Sequence, residues 1–520
     1  VKNLLEEKKK DVSESKTYFG NYSKANDKFA SFNNVMSSES GEILMSDGES
    51  QKVFVSPSIA LKEHSYYLFS IRTNKNKLPN AIPNTIKELE LNPYQDFIRL
   101  RFERLNNPEA NKLIANLMRE IGKGMYSSKQ RVIFELLQNA DDAPGKEKVE
   151  FHIDINGDYF FIMHDGAPFN KDDVEAITSA AESTKKKDNK KTGYKGIGFK
   201  SVFTDSSEVW INSGGYQFSF IKNSEFFEDF DNFYFPESRK QQFTKEGLLK
   251  EQQNFSDYKK KFDFSTDIPW QILPIWKDHL PSEFTSSNFN NFTNPVQFAL
   301  KLGESNIEEY KLAIDNITKK PQFLLFLRNT SKFRSPKNGV TVMIEDHDDI
   351  SYITKTIITK KYFLDEKKRI YQIGQIINYK GLIYEIDQLV NDDSVILKQT
   401  YTYSKFIHED IEVSDEAFSS IGIGLKKQSK INGYDEITYF FTDLEGREIE
   451  TIPPKLASVT ETKISFGISL VDSKICPEIE YTKGLPKYSS LFTYLPMEDN
   501  RFQLPFLVNA DFVPSSDRQR

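Results

Sequence analysis

A short stretch of mixed polar and apolar residues decides how this chain is interpreted. Residues 134–142 read Phe-Glu-Leu-Leu-Gln-Asn-Ala-Asp-Asp and lie in a segment with helical periodicity. Spacings of four and seven place Glu135, Asn139 and Asp142 on one face of that helix, because such positions lie above one another. Another face, predicted to pack against a sheet, carries Val132, Ile133, Leu136 and Ala140. The stretch therefore predicts an amphipathic helix with one face available for chemistry.

The three polar side chains of this helix suit three chemical tasks. The carboxylate of Glu135 can act as a general base toward a water molecule. The amide oxygen of Asn139 is a hard ligand of the kind that Mg²⁺ prefers, and the carboxylate of Asp142 can brace the site. The alternative interpretation is an ordinary solvated polar face without a chemical role. This alternative stays open because short motifs often match by chance.

A second feature, His164-Asp165-Gly166, directly follows a predicted strand. A buried carboxylate beside a glycine can accept a hydrogen bond from a purine amino group, and the glycine lets the base approach closely. The alternative is a plain turn from strand to helix, for which Asp-Gly is common. His164 has the alternative interpretation of a core histidine, and nothing in the sequence argues for a metal there.

A third feature is rich in glycine. Residues 192–201 read Thr-Gly-Tyr-Lys-Gly-Ile-Gly-Phe-Lys-Ser, and such a stretch offers backbone N–H groups to phosphate oxygens. A Walker A loop is excluded, because Phe199 separates Gly198 from Lys200 and no strand immediately precedes the glycines. The neighbouring Lys-rich run 183–191 can attract a triphosphate electrostatically, although it is otherwise typical of a solvated segment.

Composition limits the classes of protein to consider. The chain has 520 residues, 38% of them apolar, and a net charge of −7, so a sizeable core is expected and a global basic surface for nucleic acid is not. One cysteine excludes a disulfide framework and a Cys-cluster zinc site. Because there is neither a signal-peptide pattern nor a run of about 18–20 apolar residues, we expect a cytoplasmic protein without a membrane span.

The order of predicted elements indicates an α+β fold. After a helical period from about Pro108, with Leu113, Ile114 and Leu117 on one face, come a second helix, a hairpin, a third helix, the glycine-rich stretch and further strands. This order predicts helices on one face of a mostly antiparallel sheet. Strand patterns dominate again beyond about Leu302. The chain begins and ends in mid-pattern, which suggests a fragment of a longer protein.

Taken together and in order, these motifs resemble the Bergerat fold of the GHKL superfamily of gyrase, heat-shock chaperones, histidine kinases and MutL. The residues within these motifs are most similar to those of the sacsin-type, chaperone-like branch of the superfamily. The resemblance covers about 110–303. It implies a Bergerat-type α/β sandwich ATPase domain at 108–303 and a β-rich, transducer-like middle domain at 304–520, with the chain ending inside it. Residues 1–107, partly β, are not covered, and their role is unknown.

The resemblance assigns roles residue by residue. Glu135 is implied as the general base, Asn139 as the Mg²⁺ ligand, Asp142 beneath the adenine pocket, and Asp165 as the partner of the adenine amino group. Arg518 is implied as the contact to the γ-phosphate. The full set of implied nucleotide-binding residues is Asn139, Asp142, Asp165, Gly166, Lys185, Gly193, Tyr194, Lys195, Gly196, Ile197, Gly198 and Phe199.

The adenine motif departs from the family pattern. The usual order is Asp-x-Gly-x-Gly, whereas Gly166 directly follows Asp165, so a strict alignment puts His164 in the Asp position. Asp165 is favoured here because it is the available carboxylate acceptor.

The resemblance implies Mg²⁺-dependent ATP binding and slow hydrolysis, coupled to closure of a lid and of domains that switches a protein partner or effector. By family analogy this includes bacterial antiviral defence. A homodimer and further domains are implied partners, whereas membrane and nucleic acid are not indicated. The alternatives are an ATP-gated scaffold with little hydrolysis, a histidine kinase, and a topoisomerase or mismatch-repair relative. A histidine kinase needs a phosphoacceptor histidine on an upstream helix, and His64, the only histidine upstream of the helix with Glu135, lies in a strand-like stretch. The acidic charge balance disfavours a topoisomerase or mismatch-repair relative.

Overall fold

The computed structural model of the chain divides into two compact units. The first comprises Val1–Thr318 and Asn329–Thr341, and the second comprises Lys319–Arg328 and Val342–Arg520. The described residues are 16–25, 30–37, 52–53, 55, 61, 66–73, 79–82, 85–89, 92–123, 128–143, 145, 148–179, 198–222, 224–234, 244–285, 296–335, 339–364, 370–412, 424–431, 434–442, 448–452, 461–485, 489–497 and 503–510.

A small antiparallel sheet forms the N-terminal part of the first unit. Its strands are β1 (Lys16–Ala25), β2 (Ala30–Ser37), β3 (Lys52–Val53), β4 (Tyr66–Thr73), β5 (Pro79–Ala81) and β6 (Lys87–Leu89). The strand order is β3-β2-β1-β4-β5, and β6 pairs with β4. Phe32, Val35 and Phe69 are fully buried in its core. This sheet accounts for the β-structure that the sequence predicts within residues 1–107.

A larger mixed sheet forms the rest of the first unit. Its strands are β7 (Val149–Asn156), β8 (Tyr159–His164), β9 (Ser206–Ser213), β10 (Tyr216–Ile221), β11 (Ile275–Trp276), β12 (Val296–Leu302) and β13 (Thr330–Ser335). The order is β11-β10-β9-β12-β8-β7-β13, and every pair is antiparallel except β7 with β13. The predicted mostly antiparallel sheet and α+β class are confirmed.

The first unit contains the three predicted helices, which begin after about Pro108, and further helices that the sequence did not predict, among them Pro93–Leu105 and Lys245–Lys261. The helices are α1 (Pro93–Leu105), α2 (Asn111–Lys123), α3 (Lys129–Asp141), α4 (Lys171–Ile177), α5 (Val202–Asp205), α6 (Lys245–Lys261), α7 (Ser282–Thr285) and α8 (Glu304–Thr318). Local signals explain their starts. Asn92 caps α1 by accepting from the backbone of Tyr94 and Gln95, and Asn170 and Asp173 form a capping box at α4.

The buried face of α2 differs from the predicted one. Leu113 and Leu117 are 64% and 55% exposed, whereas Asn111, Ala115 and Met118 are buried. Asn111 Nδ2 donates to Asn106 Oδ1 at 2.9 Å, within a buried hydrogen-bonded pair. The polar network turns this face inward, and an apolar-stripe argument does not detect it.

Helix α8 belongs to the first unit, although the predicted ATP-binding domain ends at residue 303. Tyr310 is fully buried, and its ring lies 4.8 Å from that of Phe160 in β8. Its hydroxyl donates to Asp205 Oδ2 at 3.3 Å, and Asn306 Nδ2 donates to the Asp205 carbonyl at 3.2 Å. These contacts attach α8 to the α5 end of the large sheet.

The second unit is rich in β-structure, as the sequence predicts. Its longest described strands, Ile350–Lys360, Ser394–Glu412 and Glu461–Val471, pair antiparallel in that order, and Leu382–Leu389 pairs with both Ser394–Glu412 and Ile376–Tyr379. The elements after β13 are β14 (Val340–His347), β15 (Ile350–Lys360), β16 (Ile376–Tyr379), β17 (Leu382–Leu389), β18 (Ser394–Glu412), β19 (Gly424–Ile431), β20 (Tyr434–Thr442), β21 (Glu448–Ile452), β22 (Glu461–Val471), β23 (Lys474–Ile475), α9 (Glu478–Tyr481), β24 (Leu491–Thr493), β25 (Leu495–Pro496) and β26 (Leu507–Asn509). In the part of the chain that the structure describes, no helix has the length and apolar character needed to cross a bilayer.

Candidate functional site

Helix α3 places its acidic side chains in buried positions. Glu135 is 6% exposed and Asp142, which follows the helix, is 4% exposed, whereas Asn139 is half-buried. Arg131 Nη2 donates to Glu135 Oε1 at 3.1 Å, one turn apart on the helix. Both side chains of this ion pair are less than a tenth exposed. The face that carries Glu135 is therefore not an ordinary solvated polar face.

Asp141 fixes the carboxyl end of α3, and sequence reasoning missed it. Its Oδ1 accepts from the backbone N–H groups of Asn329 at 2.8 Å and Thr330 at 2.7 Å. Asn329 Nδ2 also donates to the Asp141 carbonyl at 2.6 Å. These bonds join the helix to the start of β13, nearly two hundred residues later, so no local pattern points to them.

The turn after β8 lies directly on the end of α3. Ala167 N donates to the Ala143 carbonyl at 2.8 Å, and Gly166 N donates to His164 Nδ1 at 3.2 Å. A methyl group added at Gly166 would lie 2.5 Å from the Ala143 oxygen and 2.9 Å from His164 Nδ1. Only glycine fits this close approach without movement of the backbone.

The two candidates for the adenine contact have different surroundings. Asp165 is half-buried, and its Oδ1 accepts from the backbone N–H of Glu150 in β7 at 2.8 Å. His164 is 4% exposed, and because Nδ1 accepts from Gly166, the neutral ring carries its proton on Nε2. That tautomer offers a donor and cannot accept from a purine amino group, whereas a carboxylate can. The preference for Asp165 stays a prediction.

Burial makes His164 sensitive to acid. Burial lowers the pKa of His164 from 6.5 to about 3. Because the unfolded chain binds a proton on this side chain below about pH 6.5 and the folded chain does not, stability falls as the pH drops through that window. Between pH 7.5 and pH 5 we expect His164 to contribute ~2 kcal/mol to the loss of stability, measured from urea unfolding.

The variant His164→Asn isolates this contribution, because its amide oxygen can accept from Gly166 and it does not titrate. His152, whose pKa burial and Arg334 lower to about 4, adds acid sensitivity of the same sign in both proteins. His164→Asn should therefore lose less stability than wild type between pH 7.5 and pH 5. An equal loss in both proteins would contradict the assignment.

The described end of the glycine-rich stretch reaches the same helix. Residues Gly198–Ser201 form a 3₁₀ turn that packs against α3. The Phe199 ring lies 5.8 Å from that of Phe203 and 5.7 Å from that of Phe298, so it is held by aromatic packing. The predicted site residues outside the described residues are Lys185, Gly193, Tyr194, Lys195, Gly196, Ile197 and Arg518.

The donor set near the end of α3 suits Mg²⁺. One half-buried amide oxygen, Asn139, lies on the same helix as the buried carboxylates of Glu135 and Asp142. Mg²⁺ usually keeps several waters and takes one or two protein oxygens together with phosphate oxygens. The residues present therefore fit a nucleotide-bound Mg²⁺, and the assignment of Asn139 as its ligand stays a prediction.

A separate cavity of about 460 Å³ lies at the β9–β10 turn and contains none of the predicted site residues. Its polar side chains bond within the protein: Trp276 Nε1 donates to Asp278 Oδ1 at 3.0 Å, and Gln217 Nε2 donates to the Lys277 carbonyl at 2.7 Å. These bonds are typical of a structural cleft, and the chemistry-bearing motifs converge elsewhere.

Comparison with known proteins gives a class for part of the chain. Residues 111–273 match the family model of the Sacsin domain, and this match includes α3, the turn at Gly166 and the glycine-rich stretch. Protein NO VEIN of Arabidopsis thaliana is 36% identical over 104 residues, which make up 19% of this chain and 4% of that protein. The chain is thus similar to sacsin-type domains over this region and spans a small part of its plant relative. The wider GHKL assignment stays a prediction.

Proposed function

We propose that the first unit binds ATP with Mg²⁺ and hydrolyses it slowly. The observation that supports this proposal is the meeting of three motifs on one helix. The turn at Gly166 lies on the end of α3 through the bond from Ala167 N to the Ala143 oxygen, and the turn Gly198–Ser201 packs against the same helix. Glycines close to buried carboxylates and an amide suit a nucleoside triphosphate and its metal.

The proposed reaction uses Glu135 as the general base. The oxygen of a water molecule bonds to the γ-phosphorus while the bond from that phosphorus to the bridging oxygen breaks, so ADP leaves with the bridging oxygen. The proton of the water passes to the carboxylate of Glu135, which the ion pair with Arg131 holds in place. Mg²⁺ on Asn139 and the phosphates would neutralise charge. Arg518 is the proposed contact to the γ-phosphate.

The similarity to the Sacsin domain supports a switch rather than a metabolic enzyme. By this proposal ATP binding and hydrolysis are coupled to closure of a lid and of domains, so that a protein partner or effector responds to the bound state.

ATP binding is the first test of the proposal. Isothermal titration calorimetry of the purified chain with ATP should give saturable binding in Mg²⁺ and weaker binding in excess EDTA. Asp165→Ala should lose ATP binding, because the carboxylate is the proposed acceptor for the adenine amino group. If Asp165→Ala binds ATP normally while His164→Ala does not, the adenine contact lies one residue earlier.

An ATP-gated scaffold with little hydrolysis is the second candidate. The ion pair between Arg131 and Glu135 favours it, because Arg131 Nη2 already donates to Glu135 Oε1 at 3.1 Å and so occupies an oxygen of the proposed base. A phosphate-release assay separates the two candidates. Saturable ATP binding without phosphate release above the rate in buffer would support the scaffold and exclude the hydrolase.

A further inference from the structure

Two buried cations meet at the carboxyl end of helix α4. Arg101 is 8% exposed and Lys200 is 5% exposed. The last carbonyls of a helix lack donors within the helix and carry partial negative charge, so they attract cations. Burying two basic side chains in one place is costly unless hydrogen bonds compensate, and burial lowers the pKa of Lys200 from 10.5 to about 7. The hydrogen bonds of Arg101 and Lys200 therefore show which backbone segments these two side chains hold in place.

Arg101 reaches this end from α1, which lies outside the region similar to the Sacsin domain. Its Nε donates to Thr178 Oγ1 at 2.8 Å. Its Nη2 donates to the Glu175 carbonyl at 3.0 Å and to Ser179 Oγ at 2.9 Å. One guanidinium thus holds the last turn of α4 and the residues that follow it.

Lys200 reaches the same end from the described end of the glycine-rich stretch. Its Nζ donates to the Ile177 carbonyl at 2.7 Å and to the Gln271 carbonyl at 3.1 Å, and lies 5.3 Å from the centre of the Phe203 ring. Residues 179 and 198–200 border the segment that carries the predicted phosphate-binding glycines. The two cations therefore hold both ends of that segment at one point.

Helix α1 is itself fixed to the large sheet. The rings of Tyr94 and Tyr216 lie 5.0 Å apart, and those of Phe102 and Phe226 lie 5.4 Å apart. A methyl group at Gly215 would meet the Tyr94 ring at 2.6 Å, so the helix lies close against the β9–β10 turn. This packing gives the guanidinium of Arg101 a defined position.

We infer that Arg101 and Lys200 are positioning residues for the nucleotide site, and that α1 contributes to that site through Arg101. This inference rests on the proposed function. The two cations act through the backbone that they hold rather than through contact with ATP. Loss of either side chain loosens the described residues 174–179 or 199–205, which flank the predicted phosphate-binding glycines in the sequence, so ATP affinity falls although every predicted contact residue is intact.

The experiment compares Arg101→Met and Lys200→Met with matched controls on exposed positions. Arg99→Met lies on the same helix with its side chain 47% exposed, and Lys260→Met replaces a side chain that is 69% exposed. By calorimetry with Mg²⁺ and ATP, the two buried variants should bind about tenfold to a hundredfold more weakly than wild type. The controls should bind within about twofold of wild type.

Hydrogen–deuterium exchange without nucleotide gives the second readout. Amides at 174–179 and 199–205 should exchange faster in both buried variants and at the wild-type rate in the controls. If Arg101→Met does not fold, Arg101→Lys replaces it in the experiment. Lysine keeps the positive charge but lacks the several N–H donors of the guanidinium, so this variant should show a smaller loss of ATP affinity. Wild-type affinity with unchanged exchange in the folded variants would overturn the inference. If wild type itself binds no ATP, the proposed function fails, and exchange alone still shows whether the cations hold these segments.

Discussion

Replacing Glu135 with glutamine is expected to reduce the rate of ATP hydrolysis by about a hundredfold or more while ATP still binds. Glutamine keeps the shape of the side chain and an oxygen that can accept from Arg131 Nη2, but it cannot take a proton from water. The loss should therefore fall on the turnover number and leave the dissociation constant for ATP nearly unchanged.

The control for this variant is Glu308→Gln, the same substitution at an exposed position. Glu308 Oε1 pairs with Lys311 at 2.6 Å on the surface of α8, where its side chain is 73% exposed. Turnover of this control should equal that of wild type. Undiminished hydrolysis by Glu135→Gln would refute the base assignment, whereas loss of ATP binding would assign Glu135 to the binding pocket instead.

Replacing Asp141 with alanine is expected to destabilise the first unit by ~3 kcal/mol. Asp141 is 1% exposed, and its carboxylate accepts from the backbone N–H groups of Asn329 and Thr330. Alanine leaves the buried Thr330 N–H and the partly buried Asn329 N–H without their acceptor, and a buried donor left so costs about 1–3 kcal/mol. Asp141→Asn, which keeps one amide oxygen, should lose less.

Urea unfolding followed by circular dichroism measures this loss as a lower midpoint. Asp257→Ala serves as the control, because Asp257 lies exposed on α6 and bonds only along its own helix. The control should unfold at the wild-type midpoint. A wild-type midpoint for Asp141→Ala would show that the helix and β13 do not depend on this carboxylate.

Local periodicity explains which parts of the fold could be predicted from the sequence. The hairpin β7–β8, the strands β9 and β10 and the helix α3 follow from alternation, turn residues and helical spacing, all of which act over a few residues. The face of α2 could not be predicted in the same way, because its inward side carries the buried Asn111, bonded to Asn106, while Leu113 and Leu117 of the apolar stripe are exposed.

Long-range hydrogen bonds explain which parts of the candidate site the sequence left out. Arg101 and Lys200 bond to residues at the end of α4 that are far from them in the chain. No local sequence pattern identifies either residue as part of the site. From the sequence alone, the position of Lys200 shows only that the stretch is not a Walker A loop. The side chains expected to touch nucleotide lie in recognisable motifs, whereas those that hold the motifs in place become visible only in three dimensions.

The most direct test of the central claim is a crystal structure of the chain with Mg²⁺ and a non-hydrolysable ATP analogue. The account predicts the purine beside Asp165 and Gly166, the metal on the amide oxygen of Asn139, and the γ-phosphate nearest Glu135. Clear density for the nucleotide at another place, such as the cavity beside Trp276, or no density at saturating analogue, would contradict it.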